Sequence, residues 1–571
     1  MWSLQVKANE NVTYRVYDIL NRCSFLGFMN RYFAFIAIVV IVIGAVVGGL
    51  VGKLPTRSAS GTAVTNERVT ADYKEILDVV DENYAGAVNH EKLTDQSMQA
   101  MLWTLDPHSS FFSRDELRKL DEEQSSQFYG IGVSILQHRD GVYVQSVVPN
   151  TPADKAGLRY GDRFVTVAGK DAKEWTSAEV SKNVRGERGT SVKVQIERVG
   201  SSAPIDYEIV RGGVPLPSIR NYFMLPNNIG YVGLTGGFQQ TTGEELSIAM
   251  EELKKQGMKS LILDLRGNPG GILDQAIAVT SKFVNGGQTV VSVKGAKATA
   301  GRALKSTGGK VENIPLVVMI NGGSASASEI VAGAIQDYDR GLVVGSDSFG
   351  KGLVQRVFRT PSGTGITLTT ARYYTPFGRS LQRDYSSGSI YDYYTHGEDS
   401  PENADLDVKP KPVGSPVTTA NGRVLYGGRG IEPDIVVAPQ AFAPVKGRIN
   451  EAAFFFMRQL VAGKIAGLDA FRVEKQNFKV SLAPNEFAIT DRVFEAFRAF
   501  AAADPKNGLT VENINGQSEY ARMRLREELA TANYSNEAGV QVLLEADPQV
   551  LKAIEAMAQA SGLVTNSAKR T

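Results

Sequence analysis

Ten residues, NGGSASASEI from 321 to 330, follow the apolar run PLVVMI and hold three serines spaced by alanines. A strand ending at Ile320, two glycines and then a helix exposes a side chain at the helix N-terminus, where free N–H groups favour developing negative charge. That geometry suits a nucleophilic serine with its oxyanion. Small residues that merely permit close packing would give the same ten letters. A serine hydroxyl also needs a base. The four histidines are His90, His108, His138 and His396, and none lies between 139 and 395, so a histidine base must reach in from another segment. Lysine is the alternative, provided that burial lowers its pKa until the amine is neutral. Lys351 stands between Gly350 and Gly352 in SDSFGKGLVQ, 25 residues past Ser326. Those glycines let the backbone press against a neighbour, although a lysine between glycines is also a common solvated loop cation. In DLRGNPGGIL (264–273) a strand closes on a glycine turn, where Gly270 and Gly271 can present N–H groups to an oxyanion. No Gly-Lys-Ser/Thr follows, so this is not a phosphate loop.

The three motifs together are far more specific than any one alone. They resemble the carboxy-terminal processing proteases, the tail-specific serine peptidases of family S41 that work with a Ser–Lys pair. The resemblance runs from about 67 to 437 and also takes in LDPHSSFF and GIEPDI. It implies Ser326, the middle serine, as nucleophile and Lys351 as general base. It implies Asp337 as a supporting acid, for which a surface aspartate at a helix end is the competing reading. Gln355, four residues after Lys351, falls where the family orients its lysine, and Ala327, Gly270 and Gly271 fall at the oxyanion. Ser348 stands where such enzymes usually carry threonine, which keeps the hydroxyl. A second element, FYGIGVSI (128–135), resembles the PDZ loop whose N–H groups cradle a peptide's C-terminal carboxylate. The positions concerned are Tyr129, Gly130, Ile131, Gly132 and Val133. The stretch NTPADKAGLRYGDRFVTVAG downstream resembles the helix and following strand of a PDZ domain.

These side chains need a scaffold. Residues 67–125 show helical periodicity, with apolar positions three and four apart in YKEILDVVDENY. Residues 126–203 change to short alternating strands divided by glycine turns, the expected PDZ domain. From 204 to 440, apolar strands alternate with amphipathic helices, which argues for a multidomain α/β protein with a buried sheet. The family resemblance makes this core crotonase- and ClpP-like. Residues 385–428 read as a surface insertion, and 441–571 as a helical C-terminal region.

With 62 basic and 61 acidic side chains the net charge is +1, and no basic run suited to nucleic acid is present. Cys23 is the single cysteine, which excludes a disulfide within the chain. No cofactor and no metal is expected. Residues 32–52, YFAFIAIVVIVIGAVVGGLVG, carry no charge. At 1.5 Å per residue they span roughly 30 Å, the thickness of a bilayer core, and exceed the apolar region of a cleaved signal. An uncleaved single anchor is expected, with residues 1–31 as a cytoplasmic lead. Flanking basic residues, Arg15, Arg22 and Arg31 against Lys53, Arg57 and Arg68, balance and leave orientation open. The family resemblance places the catalytic part outside a bacterial cytoplasmic membrane, on the periplasmic side. Gly44, Gly48 and Gly52 lie on one helix face, a spacing that permits helix pairing and a homodimer.

Three functional classes follow. The leading one is an anchored endopeptidase that takes unfolded or C-terminally exposed proteins through its PDZ domain. The second is a PDZ scaffold with an inactive α/β domain, which the presence of both Ser326 and Lys351 argues against. The third is a crotonase-like acyl-CoA enzyme, which the PDZ segment argues against, since fold alone does not fix chemistry.

Overall fold

The computed structural model describes residues 65–295, 301–386, 393–394, 414–438 and 443–568. The lead, the 32–52 anchor with its glycines, Cys23, His396 and the middle of the 385–428 insertion lie outside the described residues. Among the described residues no helix is long and apolar enough to cross a membrane.

The chain forms two compact units, Met1–Leu93 and Thr94–Thr571. In the first, Thr65 accepts from the Arg68 N–H and opens helix α1 (Asn66–Asn83), none of whose residues is buried. Helix α2 (His90–Trp103) carries the chain across the boundary. The second unit begins with β1 (Ser110–Phe112) and α3 (Arg114–Gln124), the latter started by a Ser113–Glu116 capping box.

Strand β2 (Gln127–Gly130) leads into the PDZ fold. There β3 (Val133–His138), β4 (Gly141–Val147), β5 (Arg163–Val167), β6 (Lys170–Asp171), β7 (Ser191–Glu197) and β8 (Ile205–Val210) form one antiparallel sheet. Helices α4 (Pro152–Ala156) and α5 (Ser177–Val184) accompany it. Val142, Val144, Phe164, Val180, Val194 and Ile196 make its separate core. The chain leaves on β9 (Gly212–Pro215), which pairs with β2, so entry and exit share a two-stranded ribbon.

The α/β core follows. Strand β10 (Ile219–Leu225) pairs antiparallel with β11 (Ile229–Leu234). Beyond it β12 (Ser260–Asp264), β15 (Leu316–Ile320), β16 (Leu342–Gly345) and β21 (Ile435–Val436) continue the sheet in parallel. Every residue of β11, β12, β15 and β16 is buried, which is why these segments read as unbroken apolar runs. Alternate side chains divide between two layers. Leu261, Leu263, Val318, Ile320 and Val343 pack among α6 (Thr242–Lys255), α7 (Leu273–Thr280) and α8 (Ala327–Asp337). Ile262, Val317, Met319, Leu342 and Val344 face the other way.

A second sheet is built on β18 (Gly365–Tyr374), with β13 (Thr289–Lys294), β14 (Arg302–Lys305) and β17 (Leu353–Arg359). Strand β1 also pairs with β18, Ser110 opposite Thr367, and so brings LDPHSSFF to the core from 257 residues away in sequence. The insertion contributes a small ribbon, β19 (Val417–Thr418) with β20 (Val424–Leu425).

The C-terminal region is helical: α9 (Pro444–Val461), α10 (Asp491–Ala503), α11 (Val511–Asn515), α12 (Ser518–Asn533), α13 (Asn536–Glu545) and α14 (Pro548–Ala568). It reaches in two directions. Its first helices share a core with Tyr143 and Tyr160 of the PDZ domain, and the Tyr160 hydroxyl donates to buried Glu528 at 2.7 Å. At the other end Val550, Ala553, Met557 and Ala560 of α14 cover the second face of the parallel sheet.

Candidate active site

Strands β12, β15 and β16 are parallel neighbours. The three motifs leave their C-terminal ends side by side, the place where α/β sheets present sites. Two of the three serines join the loops. Ser324 Oγ donates to the Leu265 carbonyl at 2.8 Å and Ser328 Oγ to that of Asn268 at 2.9 Å. The Ala325 N–H also reaches Asn268 O, and the Phe349 N–H reaches Ser324 O. Gly270 lies so close that a Cβ there would stand 2.7 Å from Ser326 Cβ and 2.9 Å from the Ala327 nitrogen, at a φ of +97°. Only glycine fits.

Ser326 differs from its two neighbours. Its hydroxyl donates to no carbonyl among the described residues, and it is half-buried rather than sealed. It sits directly before α8 with φ 55° and ψ −110°, a region that a residue with a Cβ rarely adopts. Such strain costs of order 1–3 kcal/mol and persists only when the surroundings impose it. Glu329 imposes it here. This buried carboxylate accepts from the Ser326 N–H at 2.7 Å and the Lys351 N–H at 2.9 Å. It also accepts from Ser348 Oγ and the Gly350 N–H, both at 2.6 Å. Four donors and no acceptor is the pattern of an ionised carboxylate. Burial pushes its carboxyl above the usual carboxylate range, and these donors oppose that rise without cancelling it. One side chain thus fixes the serine and the lysine loop to each other.

Lys351 is half-buried, and its amine has no hydrogen-bond partner among the described residues. Burial holds that amine below the ordinary lysine range, against the opposing pull of Glu329 and Asp106. Gln355 lies at a bulge in β17, and its side-chain amide donates to the His108 carbonyl. The His108 ring is pushed down to about 3, first by burial and then by the Lys351 charge, with Asp106 opposing. It is therefore neutral, and it shares a 2.7 Å hydrogen bond with the Tyr393 hydroxyl.

Residues 228–393 match the model of peptidase family S41 and residues 130–208 that of the PDZ domain. A carboxy-terminal-processing protease of Bartonella bacilliformis is 36% identical over 333 residues, 57% of this chain and 76% of the relative. The carboxy-terminal processing protease CtpA of Bacillus subtilis is 32% identical, over 58% of this chain and 69% of its own. The chain belongs to the carboxy-terminal-processing protease family. A solved photosystem II D1 C-terminal processing protease is 27% identical, covers 64% of this chain and 86% of its own, and has a TM-score of 0.33.

As a C-terminal-processing serine endopeptidase, the molecule gives its expected site residues different surroundings. Asp337 is neither on the surface nor beside the serine. It ends α8, about 16 Å from the helix start at 1.5 Å per residue. There it forms a fully buried ion pair with Arg379 at 2.7 Å and accepts from the Phe377 N–H. Asp337→Ala would leave that guanidinium buried without its counter-charge, so unfolding in urea should show a loss of about 3–5 kcal/mol. Unchanged stability would contradict this assignment.

The Gly270 N–H also departs from expectation, because it donates to Asn268 Oδ1 at 2.9 Å and is not free for an oxyanion in this state. The N–H groups of Ala327 and Gly271 form no hydrogen bond among the described residues. In the PDZ domain Tyr129 and Gly130 lie in β2 and Val133 opens β3, with Ile131 and Gly132 between them. The Ile131 and Gly132 N–H groups are likewise without partners among the described residues. Gly132, at φ +90°, packs where a Cβ would meet Thr151 at 2.3 Å. Strand β3 is a sheet edge, with α5 alongside.

Two participants escaped sequence reasoning. Glu329 was detectable, since Ser326 and Glu329 have the S-x-x-E spacing of a capping box. His108 was visible only as a member of LDPHSSFF and as a histidine that would have to reach in from another segment. His138, the other histidine within the second unit's described residues, stacks on Phe454 at 4.1 Å instead.

Proposed function

We propose that this protease is held at a bacterial cytoplasmic membrane by residues 32–52, works on the periplasmic side, and cleaves with a Ser326–Lys351 pair. The observation that carries the pairing is Glu329, which binds the backbone N–H groups of both residues at once. The neutral Lys351 amine takes the proton of Ser326 Oγ as that oxygen attacks the scissile carbonyl carbon. Negative charge collects on the carbonyl oxygen, where the N–H groups of Ala327 and Gly271 receive it at the positive end of α8. The lysine ammonium returns its proton to the leaving amine, and the C–N bond breaks. A water molecule, deprotonated by the same amine, then attacks the acyl carbon, and the ammonium returns that proton to Ser326 Oγ as the ester C–O bond breaks.

Selection precedes this chemistry. An unfolded or C-terminally exposed substrate adds as a strand to the open edge of β3, with its carboxylate at the N–H groups of Ile131 and Gly132. Amidating a peptide's C-terminus removes that charge. Amidated peptides should be cleaved several-fold more slowly than free acids in a competition assay, through KM. Equal rates would remove the PDZ domain from substrate selection.

A further inference from the structure

The LDPHSSFF segment has no assigned chemistry, yet it packs against the lysine side of the site. Asp106 fixes its shape: one oxygen accepts from the His108 and Ser109 N–H groups at 2.8 Å, the other from Ser109 Oγ at 2.7 Å. The Tyr394 hydroxyl holds Pro107 O at 2.8 Å. The buried His108 ring lies edge-on to Phe349, two residues before Lys351, and to Tyr393 and Tyr394. The Arg383 guanidinium sits 4.2 Å from the rings of both Phe349 and Tyr393. The charged and titratable groups facing His108 are thus Asp106 from its own loop, Lys351, Arg383, Tyr393 and Tyr394. Its carbonyl receives the Gln355 amide. An amide whose NH2 end is engaged in this way presents its oxygen at the opposite end, as an acceptor for an amine hydrogen.

We propose that His108 is a positioning residue for the base, its carbonyl setting the orientation of the Gln355 amide and its buried ring closing the Lys351 amine off from water. This rests on the Ser326–Lys351 pairing. Without the ring, water would reach the amine and stabilise its charged form, so the base would become neutral only at higher pH.

The test is the pH dependence of kcat/KM for the full chain on a quenched peptide, with wild type, His108→Ala, His108→Phe and Lys351→Ala compared. His108→Ala should move the rising limb up by about one pH unit. Activity would then fall about tenfold below the limb and recover above it, with KM unchanged. His108→Phe, which keeps a ring, should move it less. If the alanine variant does not fold, His108→Ser is read by the same criteria. A limb superposable on that of the wild type, a loss equal at every pH, or a phenylalanine shift as large as alanine's would overturn the proposal. Lys351→Ala should be inert throughout. Activity there would overturn the pairing, and this inference with it, whereas an inert Lys351→Ala beside an unmoved His108→Ala limb would overturn the His108 role alone.

Discussion

Ser326→Ala and Lys351→Ala will each lower kcat/KM on an unfolded protein by on the order of 10⁴-fold or more, and the double variant will be scarcely slower than either. A nucleophile without its base gains little, and a base without its nucleophile has nothing to deprotonate. Lys351→Arg will fail as well, because guanidinium stays charged at any working pH. In the wild type, kcat/KM should rise with pH, since only the neutral amine accepts a proton. The apparent pKa of that rise should lie below the ordinary ~10.4, because burial lowers the Lys351 amine. Initial rates across pH, with circular dichroism on each variant, decide the matter. A folded Lys351→Ala protein working at the wild-type rate would end the assignment.

Glu329→Ala comes next in size. It strips the acceptor from the N–H groups of Ser326, Gly350 and Lys351 and from the Ser348 hydroxyl. Each buried donor left unpaired costs about 1–3 kcal/mol, so a loss of roughly 3–5 kcal/mol is expected even if water satisfies some of them. Ser326 would also relax from its φ of 55°, and the serine and lysine loops would lose their common anchor. We expect a fall in kcat on the order of 10²-fold, because misplacing reacting groups by about 1 Å costs that much. Glu329→Gln keeps the shape but brings its own NH2 donor toward four existing donors, so it should recover little. Urea titration measures the first effect and single-turnover kinetics the second. Wild-type kcat in Glu329→Gln would show that the carboxylate is not what holds the site.

What was legible in the sequence follows from how local each signal is. The runs SLILD, PLVVMI and GLVVG announced a buried parallel sheet, and each ended in the glycine-rich loop that the structure brings to one edge. The serine motif showed three candidates but not their division of labour, because the acceptors for Ser324 and Ser328 lie about 60 residues earlier. The burial of Asp337 could not be read for the same reason: its partner Arg379 stands 42 residues on. The helical character of the C-terminal region was readable from its periodicity. Its docking was not, since Tyr160 and Glu528, or Arg266 and Asp547, meet only once the whole fold is assembled.

The helix α14 has a consequence for when this protease comes into being. Ribosomes deliver a chain from its N-terminus, and Ile262, Val317 and Val344 emerge some two hundred to three hundred residues before Ala553 and Met557, which cover them. Until then one face of the catalytic sheet is bare, and burying a single valine, leucine or methionine side chain is worth about 1.5–3 kcal/mol. The Arg266 guanidinium, one residue before the glycine turn, likewise lacks Asp547 and Gln549. A nascent chain released too early would hold Ser326, Lys351 and the PDZ domain without the cover that stabilises their sheet. The order of synthesis thus leaves the cover of this sheet until after Ser326 and Lys351 have been made.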